Sequence, residues 1–205
     1  MKLTPHLISM FVSIAAIALP AGAEAGTQAQ SWFLQQGYVP PADTRIIACH
    51  GYGCSRRLML NMDQSLLERA ARLLKAGRSN PEAERRAIRE IVKTYTAHLS
   101  QALGGPPDTP GSPPQMSGMH GQMDCVDETA NTTSLLLVLE EKALLAHHQV
   151  ERPQSRGLFI DGRYPHVTAV IAEKRTGLEF AVDPWRVAPG QQPDILPLVE
   201  WRQDS

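Results

Sequence analysis

The chain has 205 residues, with 20 Lys and Arg against 21 Asp and Glu and a formal net charge of −1. That balance gives no reason to expect a nucleic-acid partner. Only one long apolar run occurs, close to the N-terminus, so the remainder is expected to be soluble.

Lys2, the apolar stretch Leu7 to Leu19 and the small residues of Ala21-Gly22-Ala23 or Ala23-Glu24-Ala25 read as a secretory signal over 1–25. The apolar stretch is shorter than the roughly 20 residues a membrane anchor needs. A secreted or periplasmic protein without a stable membrane anchor is therefore expected, cleaved near Ala23 or Ala25. Residues 26–205 suit one domain, divided into a helical part over 26–104, a loop over 105–121 and a core over 122–205.

Three cysteines in an exported protein leave one unpaired. Cys49 and Cys54 bracket His50-Gly51-Tyr52-Gly53, where the glycines let the chain double back, and form the expected disulfide. Haem attachment would need CxxCH, and a Cys49, His50, Cys54 metal site lacks a fourth nearby ligand. Cys125 remains as the candidate reactive thiol.

Ser55 to Ala76 has the period of an amphipathic helix, with Leu58, Met62, Leu66, Ala70 and Leu73 on one face. Asn80 caps a second helix, Pro81 takes its first position, and Ile88, Ile91, Val92, Tyr95 and Leu99 form its buried stripe. Basic residues outnumber acidic ones over this region and read as a solvated face. Gly104 to Gly121 is rich in Pro, Gly and Ser, without periodicity, and leads straight to Cys125. A loop of that length suits a wall or lid of a cleft.

Cys125 opens a third helix whose middle, Leu135-Leu136-Leu137-Val138-Leu139, is apolar on every side and therefore buried. A thiol at a helix start faces free N–H groups and the positive end of the dipole, which favour a thiolate. Asp124 and Asp127 oppose this as nearby carboxylates, unless Asp124 caps the helix. The period then falls to two. Leu158-Phe159-Ile160 precedes an Asp161-Gly162 turn, His166–Ala172 and Leu178–Val182 form a hairpin, and a short strand over Leu196–Trp201 ends the chain. Helices followed by an antiparallel sheet make the class α+β.

Alternation places His166, Thr168 and Val170 on one face of the hairpin, with Glu179, Ala181 and Asp183 as the matching set. His166 and Asp183 come nearly opposite, close enough for a carboxylate to orient an imidazole. Both are expected to face the start of the Cys125 helix, the imidazole within about 4 Å of the sulfur. Cys125 would then attack a carbonyl, His166 would carry the proton and Asp183 would hold the ring. The Cys125 N–H and Gln122 are the candidate oxyanion donors.

The order Cys125, His166, Asp183, with Asp-Cys-Val-Asp at a helix start and Val-Asp-Pro-Trp around Asp183, resembles the transglutaminase-like superfamily, in particular its bacterial cysteine proteinases. The resemblance spans about 122–187. It implies a papain-like α+β core, those triad roles, no cofactor, and a peptide or protein substrate in the cell envelope. Animal transglutaminases resemble Gly-Gln-Cys-Trp at this point; here Met123 and Asp124 separate Gln122 from Cys125, and Val126 follows. That points toward a hydrolase or acyltransferase on peptide or isopeptide amides. Two other readings stand beside it. One is an inactive protein of the same fold that binds envelope peptides. The other is a Cu(I) module using Met116, Met119, His120 and Met123.

Overall fold

The computed structural model describes residues 21–157 and 165–203, apart from the side chains of 21–25. Most of the signal expected over 1–25 lies outside the described residues, as do Leu158-Phe159-Ile160 and Asp161-Gly162. The architecture is mixed α+β, an antiparallel sheet packed against helices.

The helix α4, Cys125–Glu141, is the centre of the fold. Every residue from Asp127 to Leu139 is buried, as an all-round apolar run requires. It packs on β1 (Arg45–His50), β3 (His148–Arg156), β4 (His166–Glu173) and β5 (Glu179–Asp183), and touches α1 (Ala21–Gln35) and α3 (Pro81–Leu103). Two polar side chains anchor it. Asn131 pairs with the Cys49 backbone as a strand would, accepting from N–H at 2.8 Å and donating to C=O at 2.9 Å. The Thr129 hydroxyl donates to the Val167 carbonyl at 2.9 Å, tying the first turns to β4.

The helical reading of Ser55 to Ala76 needs correction, and with it the all-helical part over 26–104. Arg56–Asn61 is a strand, β2, paired antiparallel with β1, and the helix α2 covers only Gln64–Ala76. The Cys49–Cys54 disulfide, present as expected, closes the turn between the two strands. The register begins next to that turn with His50 opposite Arg56, followed by Cys49 opposite Arg57. Asp63 caps α2 by accepting from the Ser65 N–H at 2.7 Å. The expected Asn80 cap with Pro81 at the helix start holds for α3.

The four-stranded sheet has the order β3-β4-β5-β6, with β6 at Asp194–Pro197. Leu198–Trp201, expected as strand, is instead the helical turn α5. Alternation divides the β4–β5 hairpin as anticipated. Ala169, Ile171, Phe180 and Val182 belong to the main core, while Val170 and Ala181 pack with Leu198 and Trp201. Among the described residues no helix is long and apolar enough to cross a membrane.

Candidate active site

Cys125 occupies the first position of α4, after the N-cap Asp124. The Asp124 carboxylate accepts from the N–H groups of Val126 at 3.1 Å and Asp127 at 2.9 Å, and Asp127 returns a bond to the Asp124 N–H at 3.2 Å. This is a reciprocal capping box. It engages Val126 and Asp127 and leaves the Cys125 N–H outside the cap.

The expected thiolate is not the resting state. Burial pushes the Cys125 thiol up to about 12, with Asp124, Glu128 and Asp183 adding to the rise and the Val167 N–H opposing it. A helix terminus contributes about 1 kcal/mol toward an anion, and desolvation of a buried thiolate outweighs that. The resting group is a neutral thiol.

His166 and Asp183 meet as expected. His166 Nε2 lies 2.7 Å from Asp183 Oδ2, and both residues are buried. The Trp201 indole N–H donates to the same Oδ2 at 2.7 Å, and the Trp185 backbone N–H donates to Oδ1 at 3.2 Å. Burial alone would raise the Asp183 carboxyl. The bond and charge of His166, with those two N–H groups, outweigh it and hold the carboxyl below its ordinary range. An ionised Asp183 only accepts, so His166 Nε2 is the donor in this pair. The indole of Trp185 lies 4.3 Å from the imidazole at 33°, and Trp201 lies 5.5 Å away.

No hydrogen bond joins His166 to the Cys125 sulfur. The Cys125 sulfur takes the N–H of Val167, the residue next to His166. His166 Nδ1 is buried with no hydrogen-bond partner. Register explains part of this, because Asp183 aligns with Thr168 and His166 lies two residues further on the same face.

Gln122 is committed to the loop. Its side-chain oxygen accepts from the Thr109 N–H at 3.0 Å, and its amide donates to the Pro107 carbonyl at 2.9 Å. The loop is a wall pinned at several points. Tyr52 donates its hydroxyl to the Pro113 carbonyl at 2.8 Å, and Trp185 Nε1 donates to Ser112 Oγ at 2.7 Å. The soft-ligand set is divided between environments. Met123 is buried with its sulfur accepting from Asn131 at 3.3 Å, Met119 is 44% exposed, and His120 Nε2 bonds the Leu103 carbonyl. Met116 sits on the short turn Pro114–Met116. Among the described residues, the His, Cys, Asp and Glu side chains grouped closely enough to hold an ion are Cys49, Cys54 and Asp127, whose cysteines are disulfide-bonded.

No family model, curated protein or solved structure matches the chain. Its own chemistry carries the functional reading.

One group at the site was not anticipated. Glu128, three residues along the helix from Cys125, is 7% exposed, and its Oε2 has no hydrogen-bond partner. Burial, then the charges of Asp108, Asp183, Asp127 and Asp124, push its carboxyl well above the ordinary range, so it is held as a neutral acid. A raised pKa in the fold means stability that is complete below the unfolded value, near 4.3, and declines as pH rises toward the folded value. Glu128→Gln keeps the neutral shape without that dependence. The variant should melt higher than wild type at pH 7 and equal it near pH 4, read by thermal denaturation at both pH values. An unchanged difference across that range would refute the assignment of a neutral Glu128.

Proposed function

We propose that the chain is an exported cysteine-dependent hydrolase or acyltransferase acting on peptide or isopeptide amides, of the transglutaminase-like, papain-like type. One observation carries the reading: a buried His166–Asp183 pair leaves Nδ1 unpartnered beside the strand residue that bonds the Cys125 sulfur. An imidazole buried with one nitrogen unsatisfied costs free energy. A proton to accept from the nucleophile accounts for that cost.

In this mechanism the neutral thiol loses its proton to Nδ1 as the sulfur attacks the amide carbon. The orphan nitrogen and the sulfur close their gap when substrate binds, as catalytic hydrogen bonds commonly do. The Cys125 N–H, outside the capping box, stabilises the oxyanion. The imidazolium returns its proton to the leaving amine, and a thioester remains on Cys125. Water or a second amine then releases the acyl group. Asp183 fixes the tautomer and stabilises the imidazolium, and Trp185 and Trp201 keep the pair dry. Gln122 holds the wall in place.

The raised thiol favours one other reading, an inactive fold relative that binds envelope peptides. A peptidyl vinyl sulfone separates the two. The enzyme should gain a covalent adduct on Cys125 by peptide mass mapping, with none in Cys125→Ala and at least about a hundredfold slower labelling in His166→Ala. Wild-type labelling no faster than that of a small unstructured thiol peptide would reject the enzyme and leave the binder.

A further inference from the structure

Four consecutive residues, Gly51, Tyr52, Gly53 and Cys54, have left-handed backbones with φ of 83°, 69°, 61° and 56°. Tyr52 and Cys54 hold this conformation despite their side chains, which other residues adopt only at a cost. At Gly51 a side chain would also collide, since a Cβ would lie 2.9 Å from Ser55 Oγ. The Cys49–Cys54 disulfide closes the turn. Successive N–H groups in such a turn converge and make an anion-binding concavity. Here the anions belong to the chain. Tyr52 N–H donates to Asp127 Oδ2 at 2.8 Å, Gly53 N–H to Asp124 Oδ2 at 2.9 Å and Cys54 N–H to Asp127 Oδ1 at 2.6 Å. These are the two carboxylates that flank Cys125.

A helix cap alone does not need this arrangement, because the capping box already holds the N–H groups of Val126 and Asp127. The turn acts on the other side of the carboxylates. Burial and Asp124 raise the Asp127 carboxyl to about 7, and the N–H groups of Cys54, Asp124 and Tyr52 oppose part of that rise. Asp124 in turn raises the thiol. Left bare, the Asp124 charge would oppose a negative charge on the neighbouring sulfur more strongly.

We infer that the disulfide turn is a positioning element for the Cys125 nucleophile: its three N–H groups hold the Asp124 and Asp127 carboxylates and offset their charge, so that a thiolate can form between them. The inference rests on the reading of Cys125 as the nucleophile. The turn touches no substrate and acts through Asp124 and Asp127.

The test is the rate of Cys125 alkylation by iodoacetamide across pH 6 to 9, where the rate follows the ionised fraction of the thiol. In Cys49→Ser/Cys54→Ser the profile should keep its shape and move to higher pH, slowing alkylation about tenfold, one pKa unit. Adding Asp124→Asn should return the rate to within about threefold of wild type. A scaffold role alone predicts the opposite sign, because a loosened turn exposes the sulfur and speeds the reaction. A folded double variant that alkylates at the wild-type rate or faster overturns the inference. If that variant does not fold, Asp124→Asn in the intact turn decides, since Asn still caps a helix. A change of threefold or less supports a charge already offset, and a larger rise overturns it. Iodoacetamide needs no substrate, so the outcome is independent of turnover. A displaced profile in a protein that forms no acyl adduct would retain the thiol positioning and reject the enzyme.

Discussion

Asp183→Asn is expected to slow covalent labelling of Cys125 by a peptidyl vinyl sulfone by about 10²–10⁴ while leaving the fold intact. The geometry says why the fold survives. His166 Nε2 and Trp201 Nε1 both donate to Oδ2, so an Asn carbonyl oxygen can take that place unaided. Its amide then meets the Trp185 N–H, which previously bonded Oδ1 at 3.2 Å, and one partly buried donor is lost. That costs on the order of 1–2 kcal/mol, whereas the lost rate corresponds to about 3–5 kcal/mol in the barrier. The difference is the charge. A carboxylate stabilises the imidazolium that forms when His166 takes the thiol proton, and an amide does not. His166→Ala should cost nearly as much as Cys125→Ala, because a thiol raised to about 12 has almost no thiolate to offer without a base. Rates of vinyl sulfone labelling in the three variants, with circular dichroism as the fold control, make the comparison. Near-wild-type labelling by folded Asp183→Asn would remove Asp183 from the mechanism.

The features legible in the sequence were those in which one local rule dominates. The run Leu135 to Leu139 admits only a buried helix, and Asn80-Pro81 marks a helix start by capping chemistry. The odd cysteine count gave the disulfide. The His166–Asp183 pairing followed from strand alternation, although the register is Ala169 opposite Val182 rather than one centred between the two site residues. Direction was legible where exact pairing was not, since the turn sets register and Glu173 to Gly177 closes with its own bond at 2.8 Å.

Other features needed the tertiary structure. Leu58 and Met62 fit a helical period with Leu66 only by coincidence; Arg56–Asn61 is a strand, mostly exposed, held by β1. The five-residue spacing of Cys49 and Cys54 was the available signal, because a disulfide so short favours a hairpin between its flanks. β3 leaves no clear strand signature, because Pro153 interrupts it, its register shifts between Glu151 and Gln154, and its polar residues hide the alternation. The state of the thiol is not legible in sequence, because a helix terminus is visible there and the depth of burial is not. Asp124 and Asp127 read as a helix cap and a charge penalty. Their bonds to residues 52–54, more than 70 positions away, carry no local signature.

Glu84→Ala should be the most damaging single change away from the site, lowering stability by about 3–5 kcal/mol. In sequence Glu84 is an acidic residue of the first helical turn, one of two that complement the dipole. In the structure it is fully buried and serves a different chain segment. Its carboxylate accepts from the backbone N–H groups of Ala146 at 2.7 Å, His147 at 2.9 Å and His148 at 2.9 Å, and from His148 Nδ1 at 2.9 Å. Arg85 donates to His148 Nε2 at 3.3 Å, which leaves the ring proton on Nδ1 for Glu84. One side chain thus closes the connection from α4 into β3, and alanine would strand four donors in the interior at about 1–3 kcal/mol each before relaxation. Burial works against the carboxylate, but the His148 ring and the backbone N–H groups outweigh it and hold its pKa below the ordinary value. Stability from such a group is present above the unfolded pKa, near 4.3, and is lost as pH falls through the lower folded value. The gap between wild type and Glu84→Ala should therefore be full at pH 7 and shrink below about pH 4. Urea unfolding at pH 7 and pH 3.5 measures it. A loss under about 1 kcal/mol at pH 7 would show that water replaces the carboxylate, and a gap that widens in acid would reverse the assigned sign.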